Sequence, residues 1–110
     1  DHMKDFGYVD DLKYSKSFVE SRSRNRPRSL ILIRSELMSK GISKNIAQQA
    51  VKEVGIRDDE LILNLYRKKF KEEPFERSDR KKVDFFMRKG FTWDSVRKLI
   101  DRLKDNDIRE

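Results

Sequence analysis

At 110 residues with a formal net charge of +7, the chain is about one small domain or a short array of smaller units, and nothing of this size encloses a large catalytic cleft. Its basic balance favours a partner carrying negative charge, such as nucleic acid, an acidic protein surface or an anionic membrane. Cysteine is absent, which excludes disulfides and thiolate metal sites and agrees with a reducing cytosol.

In chain order, Asp1-His2-Met3 reads as a cloning remnant ahead of an internal start, and residues 1–6 as remnant and linker. An internal repeat follows. "VDDLKYSKSF" from residue 9 aligns with "RDDELILNLY" from residue 57 at an offset of 48, and "LMSKGIS" from residue 37 aligns with "FMRKGFT" from residue 86 at an offset of 49. Two units are expected, over residues 7–55 and 56–110, each of three helices.

The first helix of each unit is expected to open at an acidic pair, Asp10-Asp11 or Asp58-Asp59, where a carboxylate can accept from orphan N–H groups and meet the positive end of the helix dipole. Its apolar positions are Leu12, Tyr14 and Phe18, then Leu61, Ile62, Leu65 and Tyr66. The first-unit helix should end before Pro27, which lacks an N–H and disfavours helical geometry at Arg26.

The second helices, near 29–39 and 79–89, carry Leu30, Ile33 and Leu37 and then Val83, Phe86 and Met87 at the three-to-four spacing of a buried stripe. Gly41 and Gly90 each follow a lysine and precede an apolar residue and a hydroxyl residue, Ser43 or Thr92. This pattern is a helix stop followed by a helix start, and it predicts positive φ at both glycines. The third helices bury Ile46, Ala47, Ala50, Val51 and Val54, or Val96, Leu99, Ile100 and Leu103. Alternation and hairpin dipeptides are missing, so strands are not expected.

Enzymatic sites are poorly represented. The single histidine, His2, falls in the remnant, and the four glycines are too scattered for a phosphate loop. The acidic pairs read as helix starts, and Glu72, Glu73 and Glu76 as a solvated charged loop. No enzyme activity, cofactor or metal is expected. The longest apolar run, Leu30 to Ile33, is far short of a membrane span.

The basic residues are the functional candidates. In "SRSRNRPRS", Arg22, Arg24, Arg26 and Arg28 fall on every second position. If the segment is extended, all four side chains share one side, roughly 6.7 Å apart, close to two nucleic-acid steps of about 3.4 Å. The same composition also describes a soluble connector. A second set comprises Arg80, Lys81, Lys82, Arg88, Lys89, Arg97 and Lys98, with Lys40 at the turn equivalent to Arg88-Lys89. Each reads singly as a solvated face, and together, near Trp93, as a patch. Trp93 reads first as packing and second as a base-stacking platform.

The repeated "DD" helix, "SELMSKGIS" and "FFMRKGFTWDSVRKLI" resemble the RecX family of regulatory proteins over about residues 7–103, including the "GF" variant of the last repeat. That resemblance implies an all-α fold of tandem three-helix repeats in an elongated, slightly curved body. It also implies a non-enzymatic protein that binds the RecA filament and mostly inhibits it, in recombination, DNA repair and the SOS response; a cytoplasmic monomer is expected. Family members usually have about three repeats, and "FGYVDD" looks like the opening of a middle one, so a further N-terminal repeat is expected outside this chain. None of the family's binding residues maps onto the arginines above. The alternative is a module binding single-stranded or duplex DNA directly, with Asn45, Gln48 and Gln49 of the first unit's third helix as base readers. Against it, the second unit offers Ser95, Arg97 and Lys98 at the corresponding place. A scaffold that only stacks with another repeat is the third possibility.

Overall fold

The computed structural model describes residues 3–109, and the side chains of residues 7–105. Six helices run in order: α1 Met3–Asn25, α2 Leu30–Ser39, α3 Lys44–Val54, α4 Asp58–Phe70, α5 Arg80–Arg88 and α6 Trp93–Arg109. No strand occurs among the described residues. The main helix pairings are α1 with α3, α2 with α3 and α1 with α2, then α4 with α6 and α5 with α6, so packing separates into two successive three-helix units. The result is elongated, with extents of 56 × 25 × 20 Å and a radius of gyration of 16.3 Å. A compact domain of this length would have a radius of about 13 Å.

The doubled glycine turn forms as its spacing predicts. Gly41 and Gly90 take φ of 95° and 89°. In both units a 6→1 bond closes the stop, from Ile42 N–H to Leu37 C=O and from Phe91 N–H to Phe86 C=O, at 3.1 and 3.2 Å. The next helix then starts on a hydroxyl cap: Ser43 Oγ accepts from Ile46 N–H and Thr92 Oγ1 from Ser95 N–H, each at 3.2 Å.

The two cores differ in kind. In the first unit Val19, Ile33, Leu37, Ala47 and Ala50 are fully buried. Ser15 and Ser23 continue the inward face of α1, small side chains that suit its close run along α3. Tyr14, expected in the buried stripe, is 47% exposed, and Val19 takes the inward place. The second unit is aromatic. Tyr66 stacks on Phe75 with centroids 5.4 Å apart and on Phe86 at 6.0 Å, and Phe70 and Phe85 close the cluster. Phe75 comes from the charged loop 71–79, which is therefore anchored rather than fully solvated: the ring is 2% exposed, and Glu73 C=O accepts from the Tyr66 hydroxyl.

One expectation about α1 is corrected, and one open alternative is decided. Asp10-Asp11 does not open a helix, because the backbone is already helical from Met3 and both aspartates lie within α1. Nothing upstream breaks the helix: Gly7 alone costs about 1 kcal/mol, and the Tyr8 hydroxyl donates to Gln49 Oε1 on α3, tying this turn to the unit. Nor is the segment 22–28 extended. The helix persists to Asn25, where Arg22 covers Phe18 one turn earlier, its guanidinium 4.5 Å from the ring, and the buried Ser23 hydroxyl is satisfied by donating to Glu20 C=O at 2.7 Å. Pro27 then stops it, leaving only residues 26–29 outside a helix.

This connection and the helix ends beside it pack against the second unit and make the joint between units. Ser29 N–H donates to Lys89 C=O at 3.1 Å, and Leu30 N–H donates to Asp58 Oδ1 at 2.8 Å. Lys68 Nζ reaches the last carbonyls of α1, Arg24 at 3.3 Å and Asn25 at 3.1 Å. Asp58 does stand in the first turn of α4, yet the helix start it caps is that of α2 in the other unit.

Candidate functional site: a basic cleft at the joint

The joint creates the most distinctive surface of the molecule. A cleft of about 440 Å³ is lined by Arg26, Arg28, Lys68, Lys69 and Lys89, with Pro27, Leu65 and Phe85 as its apolar wall. Three elements converge on it. The α1–α2 connection supplies the arginines, the last turn of α4 supplies Lys68 and Lys69, and the C-terminal end of α5 supplies Lys89. No carboxylate lines it. The ammonium groups of Lys69 and Lys89 stand 5.2 and 5.6 Å from the Phe85 ring, so the aromatic wall helps hold cations that repel one another.

The four arginines expected to act as a row divide by role. Glu36 on α2 gathers two of them: Arg22 Nε lies 3.4 Å from Oε2 and Arg28 Nη1 lies 3.1 Å from Oε1, all about three-quarters buried. These two hold α1 and the connection against α2. Arg28 keeps one group unmatched, since its Nε is buried without a hydrogen-bond partner. Arg24 and Arg26 are exposed.

The second basic set is likewise split. Lys82 is a structural cation, 16% exposed, bonded to Glu73 at 3.0 Å and to Pro74 C=O at 3.0 Å, and it lies over the rings of Tyr66, Phe70 and Phe75. Burial alone would depress its ammonium, but the bonds to Glu73 and the Tyr66 hydroxyl outweigh that and raise its pKa. Tyr66 is itself pushed up, chiefly by burial. Arg97 is paired with Asp94 at 2.7 Å and Asp101 at 3.7 Å, and Lys98 with Asp94 at 3.2 Å. The hydrogen bond from Arg97, then that from Lys98, holds the Asp94 carboxyl below its ordinary value. Lys40, Arg80, Lys81 and Arg88 are exposed, and Trp93 is 43% exposed at the start of α6.

Of the sequence candidates, the structure therefore brings Arg26, Arg28 and Lys89 into one cleft. It adds Lys68 and Lys69, which sequence reasoning missed because lysines in a last helical turn look like ordinary complements to the helix dipole. Of the proposed base readers, Asn45 and Gln48 are exposed, and Gln49 is differently occupied. Gln49 accepts from the Tyr8 hydroxyl and donates to Glu53 at 2.7 Å, while Glu53 pairs with Lys16 at 3.2 Å. Its bond to Gln49 first, then that to Lys16, lowers the Glu53 pKa and keeps a negative charge on this face of α3. No group of acidic or histidine side chains that could hold a metal occurs among the described residues, and no described helix is long and apolar enough to cross a membrane.

Comparison with known proteins follows the same helices. Residues 10–51 match the family model for the second three-helix domain of RecX. The chain is 32% identical over 108 residues to the regulatory protein RecX of Chlorobium phaeobacteroides, covering 94% of this chain and 68% of that protein. It is 30% identical over 98 residues to the regulatory protein RecX of Prosthecochloris aestuarii, with 89% and 65% covered. To that of Clostridium tetani it is 26% identical over 113 residues, with 97% and 51% covered. The chain thus spans about half to two thirds of the length of these relatives. No solved structure matches it. With two helical units, the doubled Lys-Gly turn and these relatives along nearly its whole length, the chain belongs to the RecX family.

Proposed function

We propose that this chain is part of a regulator that binds the RecA filament and restrains its activity in recombination and repair, acting by occupancy rather than by chemistry of its own. The observation that carries the reading is the similarity to proteins named regulatory protein RecX over 89–94% of the chain. The shape and charge support it. A body 56 Å long with a net charge of +7 suits an extended, anionic groove better than a compact ligand. Arg24, Arg26, Lys40, Arg80, Lys81 and Arg88 are exposed for such a contact, while Arg22, Arg28, Lys82, Arg97 and Lys98 have carboxylate partners within the unit.

The test is the DNA-dependent ATPase of RecA. The full-length parent protein should depress it in proportion to its concentration, and the purified chain alone should hydrolyse no ATP. An unchanged RecA rate at saturating parent protein would refute the reading. Direct docking of α3 on duplex DNA is the weaker alternative, since the Gln49–Glu53–Lys16 network places a carboxylate where bases would be read.

A further inference from the structure

We propose that the basic cleft is a phosphate-binding site shared by the two units, and that its occupant fixes the joint between them. Three observations carry this. First, several cations elsewhere carry their own carboxylate: Lys82 has Glu73, Arg97 and Lys98 have Asp94, and Lys16 has Glu53. The cleft gathers five cations with no carboxylate in its wall, and of the five only Arg28 has an ion-pair partner among the described residues, Glu36. Second, Arg28, which lines the cleft, keeps its Nε buried without an acceptor, while Glu36 engages its Nη1. A buried charged donor left unmatched calls for an incoming acceptor. Third, the donors lie on both sides of the joint, Arg26 and Arg28 before α2 and Lys68, Lys69 and Lys89 on α4 and at the end of α5.

The geometry selects the chemical class. A carboxylate is planar and is matched by one guanidinium fork. A phosphate group presents oxygens in several directions and can be met by donors converging from three elements. The wall formed by Phe85, Pro27 and Leu65 leaves an apolar face beside the cations, where a base attached to the phosphate could rest. With no anion bound, the four unpaired cations repel one another across a joint held by few hydrogen bonds. An anion turns that repulsion into attraction across the joint, so binding and rigidity are coupled.

The test uses the purified chain without RecA, so its outcome and that of the filament experiments are independent. Heat denaturation and titration calorimetry are run with inorganic phosphate, pyrophosphate and an eight-residue oligothymidylate, and with glutamate at matched ionic strength. Parallel hydrogen exchange follows the amides of Ser29 and Leu30, both of which donate across the joint. Phosphate species should raise Tm, by on the order of 10 °C at about 100 times Kd, and slow exchange at both amides. Arg26→Gln with Lys69→Gln should weaken binding at least tenfold, while Arg80→Gln with Lys81→Gln should not. If oligothymidylate binds more tightly than inorganic phosphate and the double variant flattens its salt slope by about 1.4, the natural source is a nucleic-acid strand. If the two bind alike, it is a free phosphate compound. An equal rise with glutamate, a double variant that binds as the parent does, or unaltered exchange at Ser29 and Leu30 would each overturn the proposal.

Discussion

Replacing Gly90 and Gly41 by alanine, one at a time, isolates the joint from the turn that both units share. Each glycine sits at positive φ, 89° and 95°, so each substitution forces an alanine into left-handed backbone at about 1–2 kcal/mol. The surroundings then differ. A Cβ on Gly41 meets nothing within 4 Å, whereas one on Gly90 would lie 2.3 Å from Ser29 Oγ and 2.7 Å from Leu32 Cγ. Ser29 cannot simply yield: it is fully buried, its hydroxyl caps α2 and its N–H bonds to Lys89 C=O. Overpacking of this kind adds about 1–3 kcal/mol. Gly90→Ala should therefore cost about 2–5 kcal/mol against about 1–2 for Gly41→Ala, a gap of about 4–12 °C in Tm for a chain of this size. Urea denaturation followed by far-UV circular dichroism measures both, with the slope checked for a change of cooperativity. Equal losses at the two sites would refute the inter-unit contact.

Arg22→Gln and Arg28→Gln should each lower stability by about 1 kcal/mol by stripping the part-buried Glu36 carboxylate of a partner, while Arg24→Gln and Arg26→Gln should be neutral; thermal melts read the difference. Asp58→Ala should cost about 0.5–2 kcal/mol through the lost cap on Leu30 N–H, and Asp10→Ala, on the exposed face of α1, should stay within about 0.5 kcal/mol in the same assay. Lys82 and Tyr66 both hold their protons more tightly in the folded chain, so their contribution is complete below the unfolded values and is lost as pH rises through the raised ones. The urea midpoint should hold steady from about pH 7 to 9 and fall above about pH 10, less steeply in Lys82→Met, and a parent that shows no alkaline loss would contradict that assignment.

The units, the helix stops and the hydroxyl caps were legible because each is local. Lys-Gly-apolar-Ser/Thr fixes a stop and a start within seven residues, and it did so twice, at Gly41 and Gly90. What the sequence hid is non-local. Alternating Ser and Arg reads as extended or mobile chain until Phe18 and Glu36 are seen beside Arg22, one a turn away and the other across the unit. Asp58 reads as its own helix's cap, and only the packing of one unit on the other shows that Leu30 is its donor. Phe75 looks like a stray aromatic in an acidic loop, and its place under Tyr66 depends on the chain turning back after α4. The cleft was half visible: Arg26, Arg28 and Lys89 stand out by charge, but Lys68 and Lys69 join them only through the fold.

Retention on single-stranded DNA immobilised on beads, with and without a coating of RecA filament, tests the regulatory reading most directly. The chain should be retained more tightly on the RecA-coated strand than on the bare strand at equal nucleotide concentration. Arg24→Gln, Arg26→Gln and Lys40→Gln combined should weaken that retention and its salt dependence, with the fold unchanged by circular dichroism. Equal retention on bare DNA, or none on the filament, would contradict the account.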